Sequence, residues 1–416
     1  MKYSQQYYEY PSGLRLLFVK SPNFYTAKIN IMFLVGSEDE KSPRGLAHLL
    51  EHSVFKGTDK YNQEQISELF NGMSADIDAS TSSETTVFSA SFPLGRIEDV
   101  SKLYSHILTQ SVYDDEEIEK EKKVIIEEIL MHEDIPDQAC FDQLVRSMFS
   151  DCGIGNDIAG EIELLKKVKT DDIKEFHRSY YHTKNMLVSV VGDYEFSEVK
   201  KIVDQYFNKP FVRSGKVKMK EWSSPSRVKN VIKQTKKDTL QANVMMGFRC
   251  PSYTNFERFD FGLIAFILGG SMNSRLFSKI RNELALCYMI SSFEISYKNN
   301  AFMAINFSTS IKNTQKCIEA VRQVLYRVIE EGVTDAEFES AKQLNIDRYL
   351  MSLDHPKANL KYLACTGKIL NPEEITNYLS KCTKKKALDI FKKYVESKNA
   401  FISIVSGEKL SKLDNN

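Results

Sequence analysis

The chain repeats itself once. From His182 it reads HTKNMLVSVVGDYEFSEVKKIV, and from Glu396 it reads ESKNAFISIVSGEKLSKL. Each copy runs from a helix end through Lys-Asn into an apolar strand, a turn and a polar segment. Asn185 and Asn399 stand 214 positions apart, about half of the 416 residues. A period this long marks a duplicated domain and not a solenoid, whose units run to about 20–45 residues. Each half is strand-rich first, then helical, then closes on a strand; Asn313–Glu331 and Asp335–Leu353 are the clearest helices of the second half. That order implies an α+β fold of two duplicated domains, each a mainly antiparallel sheet with helices packed on one face. The boundary is expected between Pro210 and Pro225, where Ser214, Gly215, Ser223 and Ser224 thin the apolar pattern. The domains are then 1–212 and 226–416.

Within the first half, His48, Glu51 and His52 spell H-x-x-E-H in the stretch GLAHLLEHSVFKGT, the inverted form of the zinc-peptidase signature. On a helix, positions i and i+4 stand one above the other, so the two imidazoles can face one ion. Glu51 reaches the same rim without pointing at it. A catalytic zinc keeps three protein ligands and a water whose pKa it lowers to about 7. Glu51 would take that water's proton and later return one to the leaving amine. The competing reading is a solvated His-Glu-His cluster on an exposed helix.

A third ligand must come from elsewhere. Glu116–Asp134 reads as a glutamate-rich helix with Val124, Ile125 and Ile129 as its apolar stripe. Glu121 and Glu128 are seven apart on one face, so Glu128 could ligate and Glu121 could orient a ligating histidine. Spacing alone leaves Glu127 and His132 as competitors. Asp76–Phe92 alternates small or apolar residues with Ser and Thr, as a strand does. In the second half, Gly269 and Gly270 interrupt a helical pattern and Arg275, Leu276 and Phe277 open another. By pattern alone Arg281 reads as a surface charge and Tyr288 as an inner-face strand residue.

These segments together resemble the pitrilysin/insulinase family of zinc metallopeptidases, in its half-length processing-peptidase branch. The resemblance rests on VGSEDEKSPRGLAHLLEHSVFKGT (Val35 to Thr58), on EKKVIIEEI, on the Asp76–Phe92 segment and on LGGSMNSRLFSKIRNELALCYMISS (Leu268 to Ser292). It implies that His48, His52 and Glu128 hold one Zn2+ per chain, that Glu51 is the general base and that Glu121 supports the site. It also implies that Asp78, Ala79 and Thr81 lie on an edge strand that takes up peptide by strand addition. Ala79, Thr81, Glu84 and Thr86 match the family pattern. Asp78 stands where asparagine is usual, Phe88 where tyrosine is common and Ala285 where glycine is common. Arg281 and Tyr288 correspond to a pair that binds peptide and stabilises the oxyanion. The expected activity is endopeptidase cleavage of short unstructured peptides or leader segments. The expected assembly is a homodimer enclosing a chamber; a heterodimer with a metal-free paralogue is the other arrangement. The alternative function is a catalytically silent scaffold or peptide-binding subunit of a heterodimeric processing peptidase.

Composition fits a cytoplasmic enzyme. Lys plus Arg and Asp plus Glu are each 56, which offers no basic excess for nucleic acid. The N-terminal MKYSQQYYEY lacks the apolar core of a signal peptide, and no apolar run reaches membrane-spanning length. Seven cysteines without a C-x-x-C pair give neither a disulfide framework nor a thiolate zinc site. His106, His177, His182 and His355 show no ligand spacing and are expected to be structural or on the surface.

Overall fold

A computed structural model describes residues 4–22, 24–42, 44–213, 216–352, 356–369, 371–396 and 399–408. His355, Ser214, Gly215, Leu353 and Lys398, which entered the reading above, lie outside these residues. The chain forms two compact units. The first comprises Met1–Ile129, Asn156–Trp222 and Pro356–Ile369; the second comprises Leu130–Gly155, Ser223–His355 and Leu370–Asn416. The crossing between the two halves of the sequence falls at Trp222, and each unit also takes one segment from the other half.

The first unit holds a six-stranded sheet. Its strands are β1 (Ser4–Glu9), β2 (Arg15–Lys20), β3 (Thr26–Phe33), β4 (Asp76–Thr81), β5 (Thr86–Pro93) and β6 (Met186–Gly192). They lie in the order β1-β2-β6-β3-β5-β4. Only the β2–β6 pair is parallel. Alternation along β3 sends Ile29, Ile31 and Phe33 into the main core, where Leu49, Leu50, Val100, Ile107 and Phe176 cover them from the helices. Each such side chain contributes about 1.5–3 kcal/mol on burial. Met32, Leu17 and Leu187 face the other way and meet Leu360, Leu363 and Ala364 of the helix Pro356–Thr366. The main helical layer thus lies on one face, and a single helix from late in the sequence seals the other.

The second unit repeats the plan with β7 (Ile232–Lys236), β8 (Gln241–Arg249), β9 (Cys287–Ser296), β10 (Ala301–Ser310) and β11 (Phe401–Ser406). The order is β7-β11-β8-β10-β9, again with one parallel pair, β7–β11. Here the exchanged helix is Pro136–Met148. It has proline in its first turn, where the missing N–H costs nothing. Cys140, Leu144 and Met148, one turn apart, pack on Met245, Phe302, Phe401 and Val405.

Two local expectations change. Asp76–Phe92 is two strands, β4 and β5, and not one. Ser82 and Thr85 close the turn, with Ser82 N–H donating to the Thr85 carbonyl at 2.8 Å and Thr85 N–H donating to Ser82 Oγ at 3.0 Å. β4 is left at the sheet edge. On the helix Asp115–Asp134 the buried face is Ile118, Glu121, Lys122 and Ile125, while Val124 is 51% exposed. The inward face is therefore as much charged as apolar, because it serves the site.

Of the other histidines, His106 Nε2 lies 3.2 Å from Thr58 Oγ1 and His182 Nε2 lies 3.0 Å from the Lys218 carbonyl. Both are structural. His177 is buried with Nε2 2.9 Å from the Leu108 carbonyl and Nδ1 2.9 Å from the Tyr113 hydroxyl. These partners fix the neutral tautomer: Nε2–H donates to Leu108, and Nδ1 accepts from Tyr113. Burial pushes its pKa down from 6.5 to about 4, against the pull of the Leu108 carbonyl. The folded value is depressed, so the stabilisation is complete above pH 6.5 and is lost as pH falls through about 4. Urea titrations of the native chain should lose about 3 kcal/mol over that window from this group. In His177→Gln that part of the acid slope should disappear, and an unchanged slope would refute the assignment.

Candidate active site

Site geometry begins at the helix Leu46–Ser53. Gly45 precedes it with φ +95°, and a Cβ there would come within 2.7 Å of the Ala159 carbonyl oxygen. No L side chain suits that conformation or that space. The free N–H groups at the helix start are met by Glu40, whose carboxylate accepts from Gly45 N–H at 2.6 Å and Ala47 N–H at 2.7 Å. Such acceptance at a helix N-terminus fixes where the first turn starts. His48 follows one turn later and is therefore held by backbone geometry as well as by packing.

His48 and His52 stand one above the other with ring centroids 4.6 Å apart. Glu128, from the helix Asp115–Asp134, brings Oε2 to 3.8 Å from His48 Nε2 and 3.9 Å from His52 Nε2. One donor atom from each of the three lies within 4.8 Å of the others. Donors about 2.0–2.2 Å from a tetrahedral ion stand about 3.3–3.6 Å apart. The two carboxylate distances lie close to that spacing, and the set as a whole, spread over 4.8 Å, would close by up to about an ångström around an ion. Two imidazoles and a carboxylate suit zinc, and cobalt or manganese less selectively. Glu127 and His132, the rivals of Glu128 by spacing, are both exposed; Glu127 points off to another face, and His132 lies a full turn beyond Glu128.

Glu121 stands behind the histidines. Its Oε2 is 3.2 Å from His52 Nδ1 and its Oε1 is 2.5 Å from Lys56 Nζ. With Nδ1–H given to Glu121, the lone pair of His52 Nε2 points toward Glu128. Burial raises the Glu121 pKa, but His52 and Lys56 together outweigh it and hold the carboxyl below its ordinary value. His52 is itself raised: burial opposes its charge, and the hydrogen bond to Glu121 with the nearby Glu51 and Glu128 overcomes that. A cation at this point would take over the role of that proton.

Glu51 is buried on the same helical turn and accepts a hydrogen bond from Thr81 Oγ1 at 2.5 Å. Burial raises its pKa despite the Thr81 hydroxyl and His52. Thr81 ends the edge strand β4, so one residue links the open sheet edge to the carboxylate. Asp78 projects from the exposed side of β4 and Ala79 is half-buried on the inner side. Phe88 is fully buried against the rings of Phe33, Phe55 and Tyr181. Phenylalanine suits that pocket because it brings no hydroxyl to satisfy.

Residues 15–161 match the family model described as insulinase, peptidase family M16, and residues 167–345 match the model described as the peptidase M16 inactive domain. The chain belongs to the M16 insulinase family. It is 28% identical over 379 residues to an uncharacterized zinc protease of Bacillus subtilis, covering 90% of this chain and 91% of that one. It is 29% identical over 370 residues to an uncharacterized zinc protease of Rickettsia bellii, covering 88% of each. Its fold is similar to the peptidase M16 inactive domain from Pseudomonas fluorescens, with a TM-score of 0.90 at 18% identity over 98% of this chain and 100% of that chain. A protease from Helicobacter pylori gives 0.89 at 17% identity, over 97% of this chain and 99% of that chain. The half-length members of the M16 family are therefore the fitting comparison. Among the described residues no helix is long and apolar enough to cross a membrane.

Within the second unit, Arg281 lies on the short helix Phe277–Glu283. Its guanidinium carbon is 4.6 Å from the Phe277 ring centre and 4.9 Å from that of Tyr288. Tyr288 is 78% exposed, so it is not an inner-face residue of β9. The pattern gave no warning of Glu40 or Lys56, nor of Thr81 as the partner of Glu51. Each acts through one hydrogen bond or ion pair that no periodicity encodes. Ala285, in the turn between Arg281 and Tyr288, has φ +48°. A Cβ there is strained, by about 1–2 kcal/mol. Ala285→Gly is expected to raise the stability of the second unit by about 1 kcal/mol, less the entropy that glycine gains in the unfolded chain. A urea midpoint that falls would contradict this.

Proposed function

We propose that this chain is a zinc-dependent endopeptidase that hydrolyses short unstructured peptides or leader segments. The observation that carries it is the convergence of His48, His52 and Glu128 on one point, with Glu51 on the same helical turn beside His52 and tied by Thr81 to the open edge of β4. Zinc held there would polarise a carbonyl and make water acidic at neutral pH. An extended peptide pairs its backbone with the outer edge of β4 and presents one carbonyl beside the histidines. Asp78, Ala79 and Thr81 contact it along that strand. Glu51 takes a proton from the attacking water and delivers one to the departing amine. Glu121, through His52 Nδ1, keeps the imidazole in the tautomer that leaves Nε2 free to ligate. Arg281 is a fixed cation able to grip peptide carbonyls or a carboxylate, and the Tyr288 phenol can donate to the developing oxyanion.

The chain carries both sets of residues, so we place it as a homodimer whose two copies enclose a chamber, each lending Arg281 and Tyr288 to the partner's metal. Pairing with a metal-free paralogue is the other arrangement. The seven cysteines are free thiols, which suits a reducing compartment such as the cytoplasm. A silent peptide-binding subunit would have no need of an intact Glu51 beside three ligands.

Two measurements test this. Glu51→Gln should keep about one zinc per chain by elemental analysis and lose about 100- to 10,000-fold in peptide turnover. Retained turnover, or loss of zinc together with activity, would count against Glu51 as the base. Mixing Glu51→Gln with the Arg281→Ala/Tyr288→Phe double variant should restore part of the activity that each lacks alone. No recovery from subunits shown to exchange would rule out sharing between copies.

A further inference from the structure

The duplication assigns a second site. Counting 214 positions forward from His48, Glu51 and His52 reaches Gly262, Ala265 and Phe266. All three line one cavity of about 420 Å3 in the second unit. Its far wall is β9, the edge strand that corresponds to β4, which contributes Ser292 and Glu294. The helix Asp335–Ser352 starts 220 positions after Asp115–Asp134, so the counterpart of Glu128 is Arg348, and Arg348 also lines the cavity. Each side chain that could hold a cation in the first unit is replaced here by a residue that cannot. The hollow has been kept.

Its chemistry has changed sign and shape. A Cβ on Gly262 would stand 3.6 Å from Glu294 Oε1 and 3.8 Å from Oε2. The Glu294 carboxyl therefore occupies the space into which a side chain at the His48 counterpart would grow. Arg348 is stacked with its guanidinium carbon 4.6 Å from the Phe266 ring centre, which orients the fork and leaves its N–H edge for a ligand. Among the described residues neither Glu294 nor Arg348 makes an ion pair. Arg258, on a third wall, is stacked over Tyr253 at 4.5 Å and Phe259 at 4.2 Å. The cavity thus offers a carboxylate, a guanidinium edge and aromatic surface together, at a size that suits a small ligand.

We propose that this cavity binds a small zwitterion, a free α-amino acid or a dipeptide with an apolar side chain, with its carboxylate at Arg348, its ammonium at Glu294 and its side chain against Phe259 and Phe266. Glu294 and Arg348 both reach solvent, and an analogue that lacks one charge forfeits one of the two charge-assisted bonds. Glu294 keeps contact with solvent at the cavity, and the nearby Arg258 favours its charged form. A ligand ammonium would pair with it directly.

Calorimetry on the full chain tests this independently of peptidase activity. The probes are L-phenylalanine, phenylalanyl-phenylalanine, N-acetyl-L-phenylalanine and L-phenylalaninamide. One of the first two should bind, and whichever is tighter identifies the ligand as amino acid or dipeptide. Both singly charged analogues should bind at least 10-fold more weakly. Arg348→Ala and Glu294→Gln should each weaken binding at least 10-fold, with Arg348→Lys intermediate and all three melting like the parent chain. Glu51→Gln should bind as the parent does, which separates this cavity from the metal site. Absence of binding by both zwitterions overturns the proposal. So does binding that survives the variants at Arg348 and Glu294, or equal affinity for the acetylated analogue.

Discussion

One buried carboxylate organises the first unit. Glu121 holds Lys56 with one oxygen and His52 with the other, and it does so on the inward face of a helix that also delivers Glu128. A buried charge is costly unless it is paired on every side, so the helix can sit only where both cations meet it. That requirement sets the register of the glutamate helix against Leu46–Ser53 and thereby aims Glu128 at the imidazoles. Lys122, buried on the same face, is anchored in turn on Glu119 and the Val168 carbonyl. The apolar core would tolerate a small slide of this helix. The ion pairs do not.

Much of this was legible in the sequence because it is periodic. Histidines four apart on a helix must share a face, and glutamates seven apart must share another. The duplicated strand after Lys-Asn announced two sheets of the same plan. What the sequence did not disclose is non-periodic. The 76–92 segment alternates throughout, and only the Ser82–Thr85 hydrogen bonds turn it into a hairpin. Val124 carries an apolar side chain at a position that faces out, while Lys122 is buried, so hydropathy alone misdrew the stripe. Glu40 is five and seven residues from the two N–H groups it receives and eight from His48, with nothing in composition to mark it. Pattern reading also assigns the segments 130–155 and 356–369 to the halves in which they occur. Only packing, through Cys140, Leu144 and Met148 in one case and Leu360 and Leu363 in the other, reveals that they serve the opposite sheets.

The two units show how one scaffold diverges. Apart from β1, which the first unit has in addition, strand order is conserved down to the single parallel pair, since the hydrophobic alternation of each strand fixes its register. The positions facing the hollow are free of that constraint. In one unit they carry imidazoles and carboxylates around a common point; in the other they carry glycine, alanine, phenylalanine and a guanidinium. The matches to an insulinase model before residue 161 and to an inactive-domain model after residue 167 follow the same division. Chemistry here lies in half a dozen side chains, and the fold carries them without preference.

The crossed segments have a topological consequence. Because each sheet borrows a helix from the opposite half of the polypeptide, severing the backbone beside Ser223 would not yield two self-sufficient pieces. The fragment before the cut would carry Cys140, Leu144 and Met148 without the strands they cover, and the fragment after it would carry Leu360 and Leu363 in the same plight. Each piece is then an obligate chaperone for the other, and a nicked molecule should stay assembled as a non-covalent pair.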